Sequence, residues 1–319
     1  MTRLRCAILD DYFKLSLTSA DWSKITDRVD LTVFEKPFKS PDEVTSALKD
    51  FPIILAMRER TAFPRSQFAA LPNLKLMITS GMRNAAIDFE AAKDHGVVLC
   101  GTNFARDPTA PLAMGLILEL TRNIGRESAR MHAGEPWQAH LGIEIEGRTL
   151  GVIGLGKLGT KVAKLAQAFG MKVIAWSPNL TPEKCAEAGV TYASKEELFK
   201  TADVITIHVV LGPRSRGLVG KEDLLRMKPT AYIVNTARGP IIDEQALLEV
   251  LRDKKIAGAG IDVFSVEPLP VDHPFRKLDN MVITPHLGYA TEEVFTGHYR
   301  QMVEGIDAWF KGEPVRRLA

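Results

Sequence analysis

Arg238, Glu267 and His286 are the residues of this chain whose types and settings best suit a shared chemistry. Each follows a short apolar run. Ala231–Asn235 leads into Thr236-Ala237-Arg238-Gly239, Ala259–Val263 into Phe264-Ser265-Val266-Glu267-Pro268, and Met281–Thr284 into Pro285-His286-Leu287-Gly288. Read as parallel strands, the three runs end on one edge of a sheet, where open α/β sheets bind ligands. The side chains can then converge although they stand 29 and 19 residues apart (238 to 267, 267 to 286). A histidine gives or takes a proton near neutral pH, and an arginine fork grips a carboxylate. A carboxylate beside the histidine orients it and favours its protonated form. Such a set can pass a proton to the oxygen of a 2-keto acid while a hydride reaches the carbon. The plainer reading of Arg238 and Glu267 is a salt bridge.

A hydride source needs a binding site, and the segment Thr149–Gly159 reads as one. It is a buried strand, then Gly154-x-Gly156-x-x-Gly159, then an amphipathic helix. Gly154 permits the tight turn, Gly156 lets backbone approach a pyrophosphate, and Gly159 allows close helix–strand packing. The first helical residues, Lys157 and Leu158 included, offer free N–H groups to phosphate. The next strand, Lys172–Trp176, ends in Ser177-Pro178-Asn179. An NAD-specific site usually places an acid there for the ribose hydroxyl. Ser177 has no charge to repel a 2′-phosphate, and Lys184 is the nearest downstream cation. NAD and NADP are both admitted, with a lean towards NADP.

Elements of the right kind recur along the chain. Apolar runs at Leu4–Leu9, Leu31–Phe34, Ile53–Met57, Leu74–Thr79 and Val97–Cys100 alternate with helix-like stretches such as Ser40–Lys49 and Asp88–Asp94. That alternation predicts βαβ units and a parallel sheet. A helical pattern over Thr109–His132 predicts one long helix, and a second βα series follows from Thr149 to Thr284. The expected fold is α/β, with two doubly wound parallel-sheet domains. One, residues 104–287, is a Rossmann cofactor domain. The other is a flavodoxin-like substrate domain made discontinuous by the tail, residues 1–103 plus 288–319.

Composition sets outer bounds. The 319 residues are 45% hydrophobic and 25% charged, the balance of a globular protein. Lys and Arg number 41 against 39 acids, a net charge of +2, which argues against nucleic acid or a membrane surface as partner. Cys6, Cys100 and Cys185 are far apart, so neither a disulfide framework nor a metal site is expected. The first residues lack a signal-peptide core, and no window approaches the ~18 apolar residues of a membrane helix. A cytoplasmic location is expected.

From about Gly147 to Gly288 the chain resembles the D-isomer-specific 2-hydroxyacid dehydrogenases, the family of phosphoglycerate, glycerate and D-lactate dehydrogenases. The resemblance rests on the Gly154–Gly159 turn, Asn235-Thr236-Ala237-Arg238-Gly239, Asp262-Val263-Phe264 with Glu267-Pro268, and Thr284-Pro285-His286. Weaker similarity covers nearly the whole chain. It implies His286 as acid/base, Glu267 as its partner, Arg238 as substrate anchor, and Asp262 facing the nicotinamide carboxamide. Thr236, Ala237, Arg238, His286 and Gly288 are the further cofactor contacts expected. It also implies D stereochemistry, a substrate domain formed by the N-terminal segment and tail, and a homodimer built on the helix near residues 109–132. Two segments depart from the family pattern: Gly81-Met82-Arg83-Asn84, where Arg83 replaces an expected glycine, and Ala110-Pro111-Leu112-Ala113. Both departures are expected to border the substrate, which leaves its identity open among glyoxylate, hydroxypyruvate and bulkier analogues.

Arg58, Met82 and Arg83 are the further substrate candidates, Arg58 being weighed against an ion pair with Glu59 or Asp88. His95, His132, His140, His273 and His298 are expected at the surface, and His208 as a satisfied residue near the sheet edge. Trp137 and Tyr289 are expected to serve in packing. Two other functions fit the same motifs. One is a cofactor-sensing interaction module; the other is oxidation of a different small anion, such as formate or phosphite.

Overall fold

A computed structural model of the chain describes residues 3–103 and 107–319. The chain forms two compact units: residues 3–103 with Thr291–Ala319, and Asp107–Ala290.

The first unit is built on five strands: β1 (Leu4–Ile8), β2 (Val29–Val33), β3 (Ile53–Ala56), β4 (Leu76–Thr79) and β5 (Val98–Gly101). They pair in parallel in the order β2-β1-β3-β4-β5. All residues of β3 and β4 are buried, as unbroken apolar runs covered on both faces must be. The helix Pro41–Leu48 starts where its sequence dictates. Ser40 Oγ accepts from Glu43 N–H at 3.2 Å, and Glu43 Oε2 accepts from Lys39 N–H at 2.7 Å. The tail helix Glu292–Phe310 turns Val294, Phe295, Tyr299, Met302 and Ile306 inward. Gly305 lets it close on β4: a Cβ there would stand 2.7 Å from Ile78 Cδ1. Leu318 N–H then donates to Leu99 O at 2.7 Å on the outer edge of β5.

Seven strands form the second unit: β6 (Thr149–Ile153), β7 (Lys172–Trp176), β8 (Thr191–Tyr192), β9 (Val204–Ile207), β10 (Tyr232–Asn235), β11 (Gly258–Ile261) and β12 (Met281–Ile283). All pair in parallel, in the order β12-β11-β10-β9-β6-β7-β8. The order reverses between β6 and β9, the switch point at which doubly wound sheets bind nucleotides. One apolar cluster gathers Leu198, Phe199, Leu224, Leu247 and Leu251, and a second gathers Leu116, Leu120, Val162 and Ala166.

The segment 109–132 is two helices rather than one. Thr109–Arg122 ends at Asn123, whose φ of +54° is left-handed, and Ile124–His132 starts anew. Asparagine tolerates that conformation and ends helices in it. The apolar period ran across Asn123 because both helices are amphipathic. The amphipathic helix expected after the glycine turn runs from Lys157 to Ala168 and buries Gly159, Val162, Ala163 and Ala166. Phe169 lies past its end and is exposed. No helix of the described residues is long and apolar enough to cross a membrane.

Candidate active site

Register brings the catalytic candidates side by side. Asn235 pairs with Ile261, and Ile261 with Ile283, so β10, β11 and β12 end level on the carboxyl edge. Beyond β10, Asn235 folds the chain back on itself: Oδ1 accepts Ala237 N–H at 3.0 Å and Nδ2 donates to Arg238 O at 3.0 Å. Gly239 makes room for the neighbouring loop, since a Cβ there would lie 2.1 Å from Phe264 C. That close approach sets the Arg238 turn against the segment that leads to Glu267.

The Glu267 carboxylate is held twice. Oε1 accepts Phe264 N–H at 2.8 Å, and Oε2 lies 2.6 Å from His286 Nδ1. Burial pushes this carboxyl up. The His286 hydrogen bond and charge, the Phe264 N–H and the Arg238 charge together outweigh it and hold Glu267 below the usual glutamate range. Glu267 is thus ionised at neutral pH, as an orienting partner should be.

His286 has a φ of +53°, in the left-handed region that only a few per cent of non-glycine residues occupy. Asp262, fully buried at the end of β11, holds it there. Its carboxylate accepts Thr284 Oγ1 at 2.6 Å, Leu287 N–H at 2.7 Å and Gly288 N–H at 2.9 Å, while its carbonyl takes His286 N–H at 2.9 Å. Tyr289 meets the imidazole edge to face at 5.6 Å. The strained histidine is over-determined by its neighbours, which is how functional sites retain such residues.

A nicotinamide dinucleotide fits the switch point. Gly154 has a φ of +98°, and a Cβ on Gly159 would stand 2.0 Å from Gly154 O, so turn and helix interlock only through glycine. A Cβ on Gly156 would meet nothing within 4 Å, which leaves open the space a pyrophosphate needs. The helix from Lys157 has no side-chain cap, so its first N–H groups remain for phosphate. Lys157 is expected to contribute only its backbone, because Nζ pairs with Asp107 at 2.7 Å. Gly154, Gly156 and Ser177 line a cavity of about 490 Å³. On the catalytic side, the buried Thr236 hydroxyl finds no hydrogen-bond partner among the described residues, which suits it to a polar group of a bound cofactor.

Arg58, Met82 and Arg83 belong to the first unit. Arg58 follows β3 with a φ of +53°, held by Ser80 Oγ on its N–H at 2.7 Å and by Asn84 Nδ2 on its carbonyl at 2.7 Å. Its guanidinium donates to Ser80 O and Glu59 Oε1, each at 3.3 Å, so the expected Glu59 pair forms although the side chain is largely buried. Met82 and Arg83 are exposed on the loop after β4, and their N–H groups meet no acceptor among the described residues. Gly81 N–H anchors that loop to Thr102 Oγ1 at 2.9 Å.

Other side chains fall elsewhere than the sequence suggests. His298 is buried, not at the surface, with Nδ1 2.6 Å from Thr102 Oγ1. Its helix turns one face to the sheet, and His298 stands on that face. Trp137 is 73% exposed and packs into no core of the described residues. Cys6, Cys100 and Cys185 are buried free thiols, each pushed up by burial. Sequence reasoning missed the loop after β9. Val209–Leu218 supplies much of the cavity lining, including Arg214. The strand order was the missing signal, because β9 neighbours β6 only across a crossover.

Comparison with known proteins points the same way. Residues 114–288 match the model of the D-isomer specific 2-hydroxyacid dehydrogenase NAD binding domain. The chain is 40% identical to a D-3-phosphoglycerate dehydrogenase of Methanocaldococcus jannaschii over 85% of its own length and 52% of that protein's, so it spans about half of that relative. It is 42% identical to a hydroxypyruvate reductase of Thermotoga maritima over 79% of this chain and 83% of that one. Among solved structures, the phosphoglycerate oxidoreductase of Vibrio cholerae O395 superposes with a TM-score of 0.91 at 32% identity, covering 97% of this chain and 99% of that one.

Proposed function

Because the chain belongs to the D-isomer specific 2-hydroxyacid dehydrogenase family, we propose that it is a nicotinamide-dependent reductase of small 2-keto acids, acting reversibly on the D-2-hydroxy acid. The observation that carries this reading is the 2.6 Å contact of Glu267 with His286 Nδ1 on the sheet edge that also bears Arg238.

When bound, the reduced nicotinamide supplies a hydride to the carbonyl carbon. Arg238 grips the substrate carboxylate and fixes which carbon is presented. His286, protonated and held through Nδ1, gives the Nε2 proton to the carbonyl oxygen as negative charge develops there. Glu267 stabilises the imidazolium before transfer and keeps the ring oriented after it. Run in reverse, His286 takes the hydroxyl proton. Thr236, Ala237, Asp262 and Gly288 are assigned to the nicotinamide end, and the glycine turn with Lys157 and Leu158 to the pyrophosphate. Arg58, Met82 and Arg83 are assigned to the substrate, with the N–H groups of Met82 and Arg83 suited to an anionic oxygen. Ser177, which carries no negative charge, supports a lean towards NADP. The domain division at residues 104 and 288 and a homodimer complete the reading.

Steady-state assays of glyoxylate, hydroxypyruvate and bulkier 2-keto acids with NADH and NADPH test it. Turnover of at least one keto acid, abolished by His286→Ala, is expected. Binding of reduced cofactor without turnover of any substrate would refute it in favour of a cofactor-sensing role.

A further inference from the structure

The switch-point cavity holds two cations for which the proposed reaction has no use. Its lining includes Lys184 and Arg214 and contains no Asp or Glu. They come from distant parts of the chain. Lys184 lies on the short helix Pro182–Glu187 beyond β7, and Arg214 in the turn that follows β9. Neither side chain has an ion-pair partner among the described residues. The adjacent acid is engaged elsewhere: Glu183 is held below its usual range by a hydrogen bond with Thr181. The Arg214 turn is internally tied. Ser215 Oγ accepts Gly212 N–H at 2.8 Å and donates to Val210 O at 2.7 Å.

Two cations lining one cavity with no acid in its lining make that cavity an attractive place for an anion. The cavity also fixes where the anion belongs. It runs from Gly154 and Gly156, at the pyrophosphate end, to Ser177, at the end of the second strand of the nucleotide fold. In such folds the adenosine ribose 2′-position lies at that strand end.

We propose that Arg214 and Lys184 together bind the 2′-phosphate of NADP, making Arg214 a specificity-determining residue. Arg214 offers a planar fork to two phosphate oxygens, Lys184 a point charge, and Ser177 a hydroxyl without opposing charge. The inference rests on the dinucleotide reading of the glycine turn and adds to it the residues that choose between the two cofactors.

Calorimetric titration of the full chain with adenosine 2′,5′-bisphosphate and with 5′-AMP tests this without turnover. The bisphosphate is expected to bind about tenfold or more tightly than 5′-AMP. Arg214→Gln and Lys184→Gln should each weaken the bisphosphate by about tenfold, leave 5′-AMP within about twofold, and lower the salt dependence of bisphosphate binding. If wild-type protein binds 5′-AMP and gains nothing from the 2′-phosphate, or if both variants weaken the two ligands alike, the assignment is overturned while the dinucleotide reading stands. If wild-type protein binds neither ligand, both fall.

Discussion

Glu267 joins His286 to the backbone of its own loop: one carboxylate oxygen lies 2.6 Å from His286 Nδ1 and the other accepts the Phe264 N–H at 2.8 Å. The imidazole is therefore aimed by the segment beyond β11, and Nε2 is the nitrogen left for proton exchange. Keto-acid reduction consumes the Nε2 proton, and it can be delivered only while the ring is held in this orientation. Glu267→Gln keeps the shape but loses the charge-assisted bond to Nδ1, and should reduce kcat by about ten- to a hundredfold while leaving KM for the keto acid within about twofold. An unchanged kcat would remove Glu267 from the role.

Arg238 is held on its turn by Asn235 and by the close approach of Gly239 to Phe264. Arg238→Ala should lower kcat/KM for a 2-keto acid by on the order of a hundredfold or more, because a charge-assisted fork to the carboxylate is lost. Arg238→Lys should restore little of it, since one ammonium cannot make two parallel bonds. A loss below fivefold in the alanine variant would place the carboxylate anchor elsewhere.

Gly159 tests the cofactor turn separately from the chemistry. Its added Cβ would stand 2.0 Å from a backbone oxygen, which no rotamer change can relieve. Gly159→Ala should destabilise the protein by about 1–3 kcal/mol and weaken NADH or NADPH binding at least about tenfold. Nucleotide fluorescence titration and thermal denaturation measure the two effects. Unchanged cofactor affinity would show that the turn does not cradle the pyrophosphate.

His298 gives the first unit a pH dependence of its own. Burial, reinforced by the charge of Arg58, pushes it down to about 4. Between that value and the unfolded value of about 6.5, the unfolded chain binds the proton and the folded chain does not. This contribution to stability therefore falls as pH drops through the window, with a slope approaching about 1.4 kcal/mol per unit. Urea denaturation at pH 7 and pH 5 should show a smaller loss for His298→Asn than for wild-type protein. Equal losses would mean that other groups carry the dependence.

Much of this arrangement was legible in the amino-acid order because its causes are local. Ser40 and Asp243 cap helices by reaching N–H groups three residues on. The buried strands announce themselves as unbroken apolar runs, and Gly154–Gly159 carries its turn within six positions. Parallel strands place their ends on one edge, so Arg238, Glu267 and His286 could be grouped before any coordinates. Tertiary structure alone decided what depends on neighbours distant in sequence. Arg214 joins Ser177 on one cavity because β9 crosses back beside β6. Lys157 turns to Asp107, and His298 is buried against Thr102, through contacts that no periodicity encodes. The long helix breaks at Asn123, where a single residue's left-handed backbone outweighs an apolar pattern continuing on both sides. Local preference depends on a few adjacent residues and is written in their order, whereas a crossover's partner is settled only when the whole sheet has closed its core.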